Sequence, residues 1–176
     1  MKDIVKPIVV LAAICLVVTA LLAYINSVTS PIIAEAEAEA EAKAQHEVLR
    51  EADSFEEVTG VSLPAGITKA VKAKNGTGYV FSLTTKGYGG DINLICGIKS
   101  DGSIESVQTL KHSETSGIGS KVVDNGSSYR KQYEGKTADN YNTVDAVTGA
   151  TISSKAYKKA IDTAFEAYSA VTKEAK

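Results

Sequence analysis

Apolar and polar positions alternate in three distinct ways along this chain. Residues 7–25, Pro-Ile-Val-Val-Leu-Ala-Ala-Ile-Cys-Leu-Val-Val-Thr-Ala-Leu-Leu-Ala-Tyr-Ile, form an almost unbroken apolar run. A run of about 20 such residues crosses a bilayer core as a helix, because a helix satisfies every backbone polar group within itself. Next come Ile32-Ile33-Ala34 and the strict Glu/Ala alternation from Glu35 to Ala42. Alternation of this kind invites a strand, but Ala and Glu are good helix formers and poor strand formers, so propensity predicts a helical stalk. Ser30-Pro31 reads as its start, with Ser as cap and Pro at the first helical position. The stalk is expected to run to about Glu51, with its glutamates on a solvated face.

From Ile67 the period shortens to two. Residues 67–74 and 79–86 flank Asn75-Gly76-Thr77-Gly78, a hairpin signal because Asn and Gly accept the positive φ of tight turns. A second pair, 92–98 and 104–110, meets across Ser100-Asp101-Gly102, which predicts an antiparallel sheet of at least four strands. Residues 121–133 are ambiguous, with a short helix expected within 127–133. In the last segment, 153–173, Tyr157, Ile161, Ala164, Tyr168 and Val171 recur at helical spacing and should pack on the sheet. The expected fold class is α+β: a single N-terminal transmembrane helix and helical stalk, then an antiparallel-sheet domain closed by a C-terminal helix. The boundaries read as an anchor over residues 1–29, a stalk over 30–62 and a folded domain over 63–176.

Charge adds topology and removes several functions. Lys2 and Lys6 precede the apolar run and the next basic residue is Lys43, so the positive-inside bias puts the N-terminus in the cytoplasm and the folded domain outside it. The expected location is the cytoplasmic (inner) membrane, crossed once. A cleaved signal peptide is the competing reading, but the run exceeds the usual core of about 7–15 residues and no clean small-x-small site closes it. A pilin-type anchor would need a processing site ahead of the helix, and none is visible. With 19 Lys and Arg against 21 Asp and Glu, and no basic stripe interleaved with aromatics, nucleic-acid binding is not expected. Cys15 and Cys96, and His46 and His112, are each isolated in sequence, so neither a disulfide framework nor a metal site is expected. No Gly-x-Ser-x-Gly elbow is present, and no catalytic acid, base or nucleophile is assigned.

Two loops carry candidate chemistry. Lys111-His112-Ser113-Glu114-Thr115-Ser116-Gly117-Ile118-Gly119-Ser120 ends a strand with polar groups and two glycines, a loop whose backbone can approach a ligand closely. Asp145-Ala146-Val147-Thr148-Gly149-Ala150-Thr151 leads into the C-terminal helix. Its hydroxyls read in one of two ways. They cap the helix, or they stand beside first-turn amides that hold an anion such as phosphate, aided by the helix dipole and by Ser153 and Ser154.

Taken in order, the anchor with its acidic stalk, the His112-x-Glu114-Thr115-x-Gly117-x-Gly119 loop and Asp145-x-x-Thr148-Gly149-Ala150-Thr151 resemble the RnfG family of Rnf complexes, and the related NqrC proteins. NqrC-like chains tend to be longer, so the compact length favours the Rnf side. The resemblance implies covalent FMN, joined as a phosphoester to Thr151 by a flavin transferase that recognises Asp145, Gly149, Ala150 and Thr151. It implies cofactor contacts from Thr148, Gly149, Ala150 and Ser153, and from Glu114, Thr115, Gly117 and Gly119 in the second loop. It further implies an electron-transfer subunit of an ion-translocating ferredoxin:NAD oxidoreductase, partnered by other membrane, iron-sulfur and flavin subunits. The alternatives are a stand-alone flavinylated carrier, or an NqrC-like subunit, serving another extracytoplasmic redox partner. A structural surface protein without cofactor is the third class. The family loop usually reads Glu-Thr-Pro-Gly-Leu-Gly; here Ser116 replaces Pro and Ile118 replaces Leu, and without the preset φ of proline a softer loop is expected.

Overall fold

A computed structural model describes residues 2–174. Residues 1, 175 and 176 lie outside the described residues, as do the side chains of 2–4 and 174, Lys2 of the basic tip among them. The chain forms two compact units, Met1–Ala40 and Glu41–Lys176.

Helix α1, Lys2–Val48, is continuous through the apolar run and the Ala/Glu segment. Its apolar side chains from Val5 to Ile33 are exposed, and it is long and apolar enough to cross a membrane. The expected helix start at Ser30-Pro31 is not there: Pro31 lies inside α1. A proline's φ is already helical, and what it costs is one backbone hydrogen bond, which the helix formers on either side outweigh. Hydroxyls just upstream take up carbonyls, Ser27 donating to the Tyr24 carbonyl and Thr29 to the Ile25 carbonyl, both at 2.7 Å.

The second unit is an antiparallel meander in the order β1-β2-β3-β4-β5, with strands Phe55–Glu57, Ile67–Ala73, Gly78–Lys86, Asp91–Lys99 and Ile104–His112. The two expected hairpins are present. At the first turn only Gly76 takes a positive φ; Asn75 instead stays in the ordinary region and its side chain accepts from the Thr77 N–H and hydroxyl. Strand β1 has no counterpart in the sequence pattern, because three residues reading Phe-Glu-Glu carry no periodicity. Short helices α2, Ser120–Val123, and α3, Ser128–Lys131, follow β5. Ser127 caps α3 by accepting from the Tyr129 N–H. The last helix, α4, is Thr151–Glu174.

Period two in the strands makes a two-faced sheet. Phe81, Leu83, Ile92, Leu94, Cys96 and Ile98 point to one side and bury Tyr157, Ile161, Ala164 and Val171 of α4. Burial of each large side chain there contributes roughly 1.5–3 kcal/mol. Tyr168, on the same stripe, stays partly exposed and donates to the Ser100 carbonyl at 2.9 Å. On the other face Val71, Ala73, Val80 and Ile95 meet Ala44, Val48, Leu49 and Ala52.

The end of α1 therefore belongs to the folded unit, which begins at Glu41 rather than near residue 63. The cause lies in the local pattern: Ala44 and Val48 in the last turns of α1, with Leu49 and Ala52 just beyond it, form an apolar cluster that ends the Glu/Ala alternation of the stalk. Gly97 admits it, since a Cβ at that position would lie 2.1 Å from the Val48 carbonyl oxygen. Glu41 is correspondingly not on a solvated face. It is half-buried and accepts from the Ser82 hydroxyl at 2.6 Å.

Candidate functional site

The loop after β5, the turn between β3 and β4, and the first turn of α4 meet around a cavity of about 590 Å³. It is lined by Tyr88, Glu114, Thr115, Ile118, Gly119, Gly149, Ala150, Thr151, Ile152 and Ser153. Seven of the sequence-derived site residues are thus brought together: Glu114, Thr115, Gly119, Gly149, Ala150, Thr151 and Ser153. Thr148 and Gly117 lie in the same two loops but do not line it, and Asp145 stands further back, exposed.

The entry to α4 is shaped by a turn. The Ala150 N–H donates to the Val147 carbonyl at 3.0 Å, and Gly149 between them takes φ +82°, a conformation that costs a side-chain-bearing residue about 1–2 kcal/mol. The Ala150 carbonyl accepts the first helical bond, from the Ser154 N–H at 2.9 Å, so Ala150 occupies the cap position. A methyl group offers no oxygen, and the expectation that Ser, Thr or Asp would cap this helix does not hold. The N–H groups of Thr151, Ile152 and Ser153 are those an α-helix leaves without intrahelical partners, and they stand at the positive end of a helix of 24 residues. Thr151 is exposed.

The hydroxyls of the two serines that follow have partners within the fold. Buried Ser153 donates its hydroxyl to Glu114 Oε2 at 2.8 Å, and buried Ser154 accepts from the Val147 N–H at 3.0 Å. Both hydroxyls thus help to hold the site's frame. Below them lies a cluster of buried tyrosines. Tyr129 and Tyr133 are joined through their hydroxyls at 3.0 Å, Tyr129 also reaches the Ser154 carbonyl at 3.3 Å, and Tyr157 packs against both rings. Burial pushes all three phenols above their ordinary range.

Glu114 is the centre of the loop. Its Oε1 accepts from the Tyr88 N–H at 2.8 Å and the Gly89 N–H at 3.3 Å, while Oε2 takes the Ser153 hydroxyl. Three donors and no acceptor suit an ionised carboxylate. Glycines make the room: a Cβ at Gly87 would stand 1.9 Å from Oε1, and one at Gly119 would stand 2.4 Å from Oε2. His112 orients the backbone, its Nδ1 accepting from the Glu114 N–H at 3.2 Å and its Nε2 lying 3.2 Å from Asp124. An Nε2-protonated imidazole satisfies both contacts. The loop is also closed without the family proline: the Thr115 carbonyl accepts from the Ile118 and Ser120 N–H groups, and the Ser120 hydroxyl accepts from the Gly117 N–H at 2.9 Å.

Three lining side chains lie outside the sequence-derived site: Tyr88, Ile118 and Ile152. They are exposed by 71%, 52% and 56%, unusual for large apolar groups, and they gather on the rim of one cavity. Their sequence signal is the Gly-Tyr-Gly-Gly turn, where a lone aromatic among glycines has nothing of its own to pack against. Among the described residues no group of His, Cys, Asp and Glu could hold a metal ion.

A cavity with an apolar rim, beside a helix N-terminus that carries an exposed hydroxyl, defines a binding module for a phosphate-bearing ring compound. Comparison with known proteins identifies the class: residues 87–166 match the FMN-binding domain, and residues 1–48 match the RnfG N-terminal region. The chain is 34% identical over 187 residues to the G subunit of the ion-translocating oxidoreductase complex of Methanosarcina acetivorans, covering 96% of each chain. It is 30% identical over 161 residues to the G subunit of the proton-translocating ferredoxin:NAD(+) oxidoreductase complex of Clostridium ljungdahlii, covering 86% of this chain and 84% of that one. Against the G subunit of the Na(+)-translocating ferredoxin:NAD(+) oxidoreductase complex of Acetobacterium woodii, identity is 29% over 189 residues, covering 93% and 91%. The chain belongs to the RnfG family, the G subunits of ion-translocating oxidoreductase complexes. It is an FMN-binding, membrane-associated α+β protein.

Proposed function

We propose that this protein carries one FMN as a phosphoester on the Thr151 hydroxyl, and passes electrons through it as the G subunit of an ion-translocating ferredoxin:NAD oxidoreductase. The observation that carries the reading is the exposed Thr151 at the first position of α4, on a cavity whose rim is apolar. The residues fit the group. A phosphodiester keeps one negative charge, and the uncapped amides of Thr151, Ile152 and Ser153 stabilise it without Lys or Arg. Tyr88, Ile118 and Ile152 offer a flat ring system the apolar surface it needs, and Gly149 and Gly119 let backbone come close. Bound there, FMN supplies electron transfer; the chain's own part is to seat it and to set its surroundings.

Attachment requires an activated flavin. The Thr151 oxygen bonds to phosphorus of an FMN phosphoanhydride, the hydroxyl proton passes to a base of the transferase, and the leaving nucleotide monophosphate takes the electron pair. Asp145, exposed ahead of the turn, together with Thr148, Gly149 and Ala150, forms the surface the transferase reads. The apolar segment of α1 anchors the chain in the cytoplasmic membrane with the basic N-terminus inside and the folded unit outside, where a covalent bond prevents loss of cofactor. Partners are the membrane, iron-sulfur and flavin subunits of an Rnf-type complex.

The test is the intact mass and peptide map of the full chain made beside a flavin transferase. One FMN is expected on the peptide holding Thr151, and Thr151→Val is expected to carry none. Full labelling of that variant sinks the assignment. Outside placement is tested separately, since an engineered cysteine near Thr151 should react with an impermeant reagent in sealed cells.

A further inference from the structure

We infer that Glu114 is the positioning and potential-setting residue of the flavin seat. Its carboxylate ties the cavity's walls together, and its charge makes the seated flavin harder to reduce. The inference rests on the FMN reading above and adds a role to one side chain.

The geometry gives the first half. One oxygen of Glu114 receives the amides of Tyr88 and Gly89 from the β3–β4 turn, the other receives Ser153 from α4, and the residue itself belongs to the loop after β5. A single carboxylate therefore registers three separate segments of the cavity wall. The residue is 9% exposed, and Gly87 and Gly119 leave only the space its side chain fills.

Electrostatics gives the second half. Among the described residues lining the cavity, Glu114 is the only one with a formal charge. An electron added to a flavin beside a buried carboxylate meets a like charge in a medium that screens it poorly. The oxidised cofactor is favoured, and the midpoint potential falls. Low potential suits a carrier that accepts electrons from a strong reductant.

Potentiometric titration of the FMN-loaded full chain in detergent tests this, with Glu114→Gln and Ser153→Ala alongside. Glu114→Gln removes the charge and keeps the shape, so its potential should move to more positive values, with the equilibrium constant for reduction rising several-fold. Ser153→Ala breaks one tie and keeps the charge, so it should not reproduce that shift. An unchanged potential in Glu114→Gln, or the same positive shift in Ser153→Ala, overturns the inference.

If Glu114→Gln takes up no flavin, Thr115→Asp decides, because it adds a second carboxylate to the same wall of the cavity. Its potential should move to more negative values, and an unchanged or more positive potential overturns the inference. A wild-type chain without flavin would instead refute the reading on which it rests.

Discussion

The Ser153 hydroxyl donates to Glu114 Oε2 at 2.8 Å, joining the first turn of α4 to the loop that follows β5, 39 residues earlier in the chain. Both groups are buried, so the bond is a charge-assisted one shielded from water. Ser153→Ala should lower stability by about 1.5–3 kcal/mol, the usual worth of a hydrogen bond to a charged partner. Urea unfolding of the full chain should show a lower midpoint with an unchanged slope. A midpoint equal to the wild type would mean that the bond is not formed in solution.

Gly119 tests the same carboxylate from its other side. Its backbone lies at φ −65° and ψ −34°, a conformation that any residue adopts. The obstacle is contact, since a Cβ there would sit 2.4 Å from Glu114 Oε2 and 2.9 Å from Glu114 Cβ. Gly119→Ala should cost about 1–3 kcal/mol as an overpacking substitution. Combined with Glu114→Ala, the two changes should cost less than their sum, with a coupling of about 0.5–3 kcal/mol. Strict additivity would show that the alanine is resisted by something other than the Glu114 carboxylate.

What the sequence disclosed follows from which interactions are local. The strands 67–86 and 91–112 and the C-terminal helix were legible because their periodicity is set by neighbours two or four residues away. The two site loops were legible because glycine and hydroxyl residues cluster at the ends of those elements. The packing of Val48 and Leu49 on the second face of the sheet was not, because it depends on Gly97, some fifty residues downstream. The roles of Ser153 and Ser154 were likewise hidden. A serine at the start of a helix looks the same whether its hydroxyl faces a ligand or a buried carboxylate, and only the tertiary fold brings Glu114 beneath it. Tyr88 reads as part of a turn, since the cavity that it borders is closed by residues about thirty and sixty positions later.

Gly149 separates backbone strain from crowding. Its φ is +82°, and a Cβ there would meet nothing within 4 Å. Gly149→Ala is therefore opposed by conformation alone and should destabilise the chain by about 1–2 kcal/mol. If the turn relaxes to relieve that cost, Ala150 and Thr151 move with it, and FMN incorporation during co-expression with a transferase should fall by a larger factor than stability predicts. Gly149→Asn, which tolerates the left-handed region better, should recover part of both. Equal losses in the two variants would argue that the transferase reads the glycine itself.

Cys96 gives the fold a defined alkaline limit. It is fully buried in the core under α4, and burial pushes its thiol from the ordinary value of 9.0 up to about 12. Because the folded state keeps this proton when the unfolded chain would release it, the contribution is complete below about pH 9. It is lost as pH rises from about 9 toward 12. The buried phenols of Tyr133 and Tyr157, also raised, add to the loss only above their ordinary value of 10. Unfolding free energy should therefore begin to fall near pH 9 in the wild type. In Cys96→Ala, which lowers stability at every pH by leaving a small cavity, the fall should begin about one unit later. The same proton accounts for reactivity: iodoacetamide near pH 8 should leave Cys96 unmodified in the folded chain and alkylate it in urea, since the thiolate is the nucleophile. Rapid labelling of Cys96 itself in the native protein at that pH, read by peptide mapping apart from the exposed Cys15, would mean that the thiol is neither buried nor protonated, and the inner face of β4 would have to be redrawn.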